Sequence, residues 1–137
     1  MTPFTTSRRV EFGDTDMAGI VHFANFFRYM EAAETDFLRS RGMTVSWADG
    51  DSRLGFPRVS TSCDFRKPAK FEDVLSITVT VEKVGTKSLS YRFDFADQDG
   101  NEIAVGRVTS VFCRSGDHGR KFESVPIPPE IRAKLEM

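Results

Sequence analysis

From Asp73 to Ser115 the chain alternates apolar and polar residues, and that alternation is its strongest constraint. Leu75, Ile77, Val79 and Val81 stand against Ser76, Thr78, Thr80 and Glu82; Leu89, Tyr91, Phe93 and Phe95 repeat the pattern after Gly85-Thr86. A period of two buries one face of a strand. Asp99-Gly100 is a hairpin signal and leads into a further strand, "EIAVGRVTSVFCRS". Connections this tight force antiparallel pairing, because a parallel crossover takes a dozen residues or more.

Upstream the period changes. In "FANFFRYMEAAETDFLRSRG", Phe26, Met30, Ala33 and Phe37 fall at helical spacing, and Phe23, Phe27 and Leu38 widen the stripe. Arg39 and Arg41 set cations near the end, and Gly42 is suited to the C′ position. A first strand is expected over Thr5–Phe12, then a loop from Gly13 to His22. Thr44–Asp51 reads as a short irregular or helical piece, "FPRVSTSCDF" as a strand broken by Lys67–Lys70, and "PIPPEIRAKLEM" as a closing helical turn. The order is strand, long helix, then about four strands joined mainly by short turns. It implies an α+β fold in which a curved antiparallel sheet of about five strands wraps one central helix.

At 137 residues, positions 1–137 make a single domain. One helix cannot cover both faces of such a sheet or protect its edges. The last strand is apolar at both parities, with Ile103, Val105 and Val111 on one side and Ala104, Val108 and Phe112 on the other. A homodimer at least is expected, with a homotetramer as the assembly.

Lys plus Arg number 19 against 20 Asp plus Glu, a net charge of -1, so no global field draws nucleic acid or an anionic membrane. There is no signal-peptide core and no apolar run near the roughly 20 residues of a membrane span. Cys63 and Cys113 lie far apart, and with two histidines no metal site is expected. Both are read as reduced thiols on strands, in keeping with a cytoplasmic protein.

The chemistry gathers in "FGDTDMAGIVHFANFF", which sets Asp14 and Asp16 just before the helix. Simple turn chemistry accounts for aspartates in a loop. A calcium loop fails, since its fifth and twelfth positions are Ala18 and Asn25. An aspartyl-phosphatase loop needs a parallel sheet. A third reading uses the helix start, where unpaired N–H groups meet the positive end of the helix dipole. Such a donor binds the oxyanion of an attacked acyl carbonyl, and a carboxylate beside it serves as general base or nucleophile. A thioester suits that pair, because its thiolate leaves with little help.

The stretch "VEFGDTDMAGIVHFANFFRYMEAAETDFL" resembles the opening of hotdog-fold acyl-CoA thioesterases of the 4-hydroxybenzoyl-CoA thioesterase family. Their motif is a strand, then D-x-D-x-x-G-(I/V)-V, then an aromatic-rich helix with an early Asn. The likeness continues more loosely through "KFEDVLSI" and "TKSL" to the last strand.

The resemblance implies hydrolysis of an acyl-CoA thioester carrying an aryl or short-to-medium acyl group. Coenzyme A is then part of the substrate, and no cofactor is needed. Asp16 takes the position of the catalytic carboxylate, expected to be buried beside the tip of the helix, and Asp14 supports the loop. The backbone N–H of Phe23 takes the position that polarises the carbonyl, Gly19 allows the tight path before the helix, and Asn25 holds the loop. His22 stands where the family has an aromatic residue; it could order water or orient Asp16, or simply pack at or cap the helix start. Glu31 falls at a position lining the acyl pocket, whereas Glu34 is expected on a solvated helix face. Lys87 and Ser88 match the pair that meets the nucleotide, with Arg114 or the 66–70 segment as other sources of cations. Two further readings fit the same fold: a non-catalytic acyl-thioester binding module, and a 3-hydroxyacyl thioester dehydratase using His22 as base. His118 is expected in an exposed polar loop.

Overall fold

The computed structural model describes residues 1–137. Strand β1 (Phe4–Arg9) is followed by a single 3-10 turn at Phe12–Asp14 and by helix α1 (Ala24–Ser40). Strands β2 (Ser46–Asp49), β3 (Ser52–Gly55), β4 (Arg58–Phe65), β5 (Val74–Val84), β6 (Ser88–Ala96), β7 (Glu102–Val111), β8 (Cys113–Gly116) and β9 (Lys121–Ser124) precede helix α2 (Pro129–Leu135). The main sheet has five antiparallel strands in the order β1-β5-β6-β7-β4, as the alternation requires.

Leu75, Ile77, Val79 and Val81 of β5 and Leu89, Tyr91, Phe93 and Phe95 of β6 are all buried, and their alternate neighbours are more open. Against this face lie Phe26, Met30, Ala33 and Phe37 of α1. The helix approaches β7 closely because position 106 is glycine: a Cβ there would stand 2.6 Å from the Met30 sulfur. Gly42, at φ +73°, ends α1 with its N–H on the Arg39 carbonyl while Met43 N–H reaches Leu38, the double bond of a Schellman cap.

Three expectations need correction. Thr44–Asp51 is not irregular or helical: its middle half forms β2, which pairs with β3. "SGDHGRKF" is not a plain loop but a hairpin, β8 and β9 with exposed His118 in its turn. Together these form a second sheet, β2-β3-β8-β9, too short in each strand for periodicity to reveal. Its packing core is the aromatic group Trp47, Phe56 and Phe112, with Phe56 and Phe112 centroids 5.1 Å apart. Phe23 does not join the core stripe either; it is 62% exposed.

The main sheet has two edge strands, β1 and β4. Every residue of β4 except Cys63 is exposed. Both cysteines are free thiols, on β4 and β8. No helix is long and apolar enough to cross a membrane.

Candidate active site

The loop between β1 and α1 is built around Asp14. Its carboxylate oxygen Oδ2 accepts the Glu11 backbone N–H at 3.0 Å and the Tyr29 hydroxyl at 2.8 Å. Its carbonyl accepts the His22 N–H at 2.9 Å and the Asn25 side-chain Nδ2 at 2.8 Å. The first turns of α1 are thereby tied to the loop. Burial, together with the bond to Asp14, pushes the Tyr29 phenol well above its ordinary range, so it remains a donor.

Two residues on, the chain doubles back. Asp16 N–H bonds the Ile20 carbonyl at 2.9 Å and Gly19 N–H bonds the Asp16 carbonyl at 3.0 Å. Gly19 sits at φ +80°, where a side chain is strained. One carboxylate oxygen of Asp16 accepts the Ala18 N–H at 2.9 Å, which fixes the side chain and leaves its second oxygen free. A buried Asp16 is expected from the sequence, and here the structure differs: within one chain the residue is exposed, at the mouth of a cleft rather than under it. The turn that orients Asp16 also carries it out to the rim.

The cleft measures about 510 Å³ and is walled by Ile20, Val21, Phe23, Phe26 and Phe65, with Asp16 at one side and Arg66 and Lys67 at another. Phe23 N–H donates to no group in the chain, and Phe23 lines the same cleft as the fixed carboxylate of Asp16. That pairing can hold a carbonyl oxygen and present a base or nucleophile beside it.

His22 is turned to another task. Its Nδ1 accepts the Ala24 N–H at 3.2 Å, its ring stacks on Phe23 at 4.8 Å, and it does not line the cleft. Asn25 donates its amide to Asp14 and so braces the loop. Glu31 lines a second, smaller cavity of about 170 Å³ with Phe27, Met30 and Phe93. Glu34 corrects the expectation of a solvated face: it is 2% exposed, and its carboxylate is paired with Arg58. Burial raises its pKa and Arg58 works in the opposite direction. Glu34 stands four residues after Met30 and three before Phe37, in phase with the buried stripe, and that spacing is the signal that could have found it.

The structure does not bring Lys87 and Ser88 to Asp16 within one chain. They lie at the turn joining β5 to β6, whereas the loop 10–22 adjoins the other end of β5, through Val10 N–H to Asp73 and a bridge from Ile20 to Lys70. The intervening strand spans about 30 Å. Arg132 of α2, which sequence reasoning missed, anchors that turn by donating to the carbonyls of Val84 and Gly85 at 3.0 and 2.6 Å. Arg114 is occupied by Asp49 at 2.8 Å. Arg66 and Lys67 are the cations that share the cleft with Asp16.

A model of the thioesterase-like superfamily matches residues 10–135. A 1,4-dihydroxy-2-naphthoyl-CoA hydrolase of Thermosynechococcus vestitus is 30% identical over 129 residues, covering 94% of this chain and 86% of that protein. A 4-hydroxybenzoyl-CoA thioesterase of Pseudomonas sp. is 28% identical over 130 residues, covering 92% of each. Among solved structures, a gentisyl-coenzyme A thioesterase superposes with a TM-score of 0.80 at 30% identity, over 96% of this chain and 99% of that one.

Proposed function

This chain belongs to the thioesterase-like superfamily, and from that premise we propose that it hydrolyses an acyl-coenzyme A thioester to the free acid and coenzyme A. The observation that carries the proposal is that Phe23, whose N–H has no partner, and the fixed carboxylate of Asp16 line one cleft.

In this reading the thioester oxygen accepts the Phe23 N–H, which stabilises the negative charge that grows as the carbonyl is attacked. The free oxygen of Asp16 takes a proton from water while the water oxygen bonds to the carbonyl carbon. The C–S bond then breaks and the thiolate leaves with the electron pair. In the covalent variant the same carboxylate oxygen attacks first, giving a mixed anhydride that water opens. A single turnover in ¹⁸O-labelled water separates the two: the base route labels the product acid at once, whereas the anhydride route can place the label in Asp16.

Gly19, Asn25 and Glu31 fall to loop shape, loop bracing and the acyl pocket. His22 serves as a helix cap, which argues against a dehydratase with His22 as base. Arg66 and Lys67 offer charge to the coenzyme at the cleft, while Lys87 and Ser88 are about 30 Å away along β5. If both regions meet one coenzyme molecule, the second comes from another copy. The exposed border at β4 offers a place for such a copy to pair, which supports a homodimer at least and is compatible with a homotetramer. The relatives' substrates favour an aryl acyl group, with short and medium acyl chains as the alternative.

The test is Asp16→Asn, which keeps the shape and the turn but removes the base. It is expected to lower kcat by roughly 10² or more in a DTNB assay of free thiol. Turnover close to that of the parent chain would refute the role of Asp16.

A further inference from the structure

The two cavities succeed one another along the groove between α1 and the border strand β4. The first takes Phe26 from the helix and Phe65 from the strand; the second lies further along both, with Thr61 on β4 and walls of Phe27, Met30, Phe93 and Val108. Measured along α1, Phe23 is about 12 Å from Glu31 and about 16 Å from Glu34. An acyl group whose carbonyl meets the Phe23 N–H and which follows the helix therefore passes apolar walls first. It then meets charge.

That charge is an ion pair with one buried member, Glu34, and one partner, Arg58, at the surface. Glu34, 2% exposed, accepts from Arg58 Nη2, and Arg58 Nη1 lies 3.9 Å from Glu31. Beneath it the Tyr91 hydroxyl is buried without a partner, within the field of Glu34. An apolar tail pressed against this end would strip solvent from Arg58 and Glu31 and return no hydrogen bond. Widening the groove by moving the pair is costly too, because separating its members leaves a buried charge alone.

We propose that the Glu34–Arg58 pair ends the acyl groove and sets the upper length of the acyl group, selecting aryl and short acyl thioesters over long aliphatic ones. The inference rests on the thioesterase reading above and on no other assumption about the reaction.

Its test is a selectivity ratio, which a purely structural role would leave alone. The parent chain and the double variant Glu34→Leu/Arg58→Leu, which removes both charges and orphans neither, are assayed with hexanoyl-, decanoyl- and palmitoyl-CoA. Methylene groups in an apolar pocket each change kcat/KM by about tenfold or more. The palmitoyl-to-hexanoyl ratio is therefore expected to rise at least about tenfold in the double variant, because an extended palmitoyl chain reaches past the roughly 16 Å to Glu34 and a hexanoyl chain does not. An unchanged ratio in a folded double variant overturns the proposal. Should the double variant not fold, Phe27→Trp on α1 narrows the second cavity instead, and the decanoyl-to-acetyl ratio is expected to fall at least about tenfold; a ratio that stays constant overturns the proposal by this route. A parent chain inactive toward every acyl-CoA sinks the thioesterase reading and this inference with it, an outcome distinct from an active parent whose ratios do not move.

Discussion

The hydroxyl of Tyr29 donates to Oδ2 of Asp14 at 2.8 Å, joining the second turn of α1 to the loop that carries Asp16. Because the Asp14 carbonyl also receives His22 N–H and the Asn25 amide, one residue fixes the helix start against the loop. The free Phe23 N–H and the Asp16 carboxylate are both mounted on that joint.

Removing the hydroxyl should loosen both. Tyr29→Phe is expected to cost about 2 kcal/mol of stability, as for a hydrogen bond to a charged group in a buried setting. It should lower kcat several-fold while KM changes less. Urea midpoints and steady-state kinetics measure the two effects, and a parent-like kcat would show that the joint does not position the site.

Gly19 is expected to resist substitution. At φ +80°, with open space where a Cβ would point, Gly19→Ala meets backbone strain and no steric clash. The cost should be about 1 kcal/mol or more. Since the turn orients Asp16, kcat should drop with it. Thermal unfolding beside a DTNB assay gives both numbers.

Gly106→Ala tests the packing of α1 on β7. The added Cβ would meet the Met30 sulfur and methyl at 2.6 Å, and Met30 is fully enclosed. Overpacking of this kind costs about 1–3 kcal/mol. Combining Gly106→Ala with Met30→Ala should cost less than the two single changes added together, and strict additivity would mean that the clash is absorbed elsewhere.

Cys63 carries a prediction in alkaline solution. Burial first, and Asp64 second, push its thiol up to about 11 from an ordinary 9.0. The fold thus favours the protonated thiol. The stability this contributes is fully present below pH 9 and is lost as pH rises through about 11. Cys63→Ala lacks that loss, so the stability gap between parent and variant should change in the variant's favour between pH 8 and pH 11. Parallel urea midpoints across that range would show a thiol at its ordinary value.

The fold was legible where one physical demand dominates a stretch of sequence. β5 and β6 have one buried face over many residues, so their alternation survives to be read. In α1 the apolar stripe and the glycine cap marked both its face and its end. Strands β2, β3, β8 and β9 have four residues each, too few for a period, and tertiary packing around Trp47 decides them. Asp16 could be located from the motif and its neighbours, but not its exposure, which depends on how the Asp16–Ile20 turn projects from the body. Glu34 was misread because its charge was weighed above its place in the stripe; a partner 24 residues later in sequence makes that burial tolerable.

The free donor at the start of α1 belongs to the main chain, and that has a practical consequence for anyone engineering this protein. Scanning with alanine will pass over it, since every amino acid except proline supplies the same amide. The ring of Phe23 can therefore be exchanged to reshape the cleft wall while the unpaired N–H stays in place, making position 23 a natural first site for a library that varies the cleft.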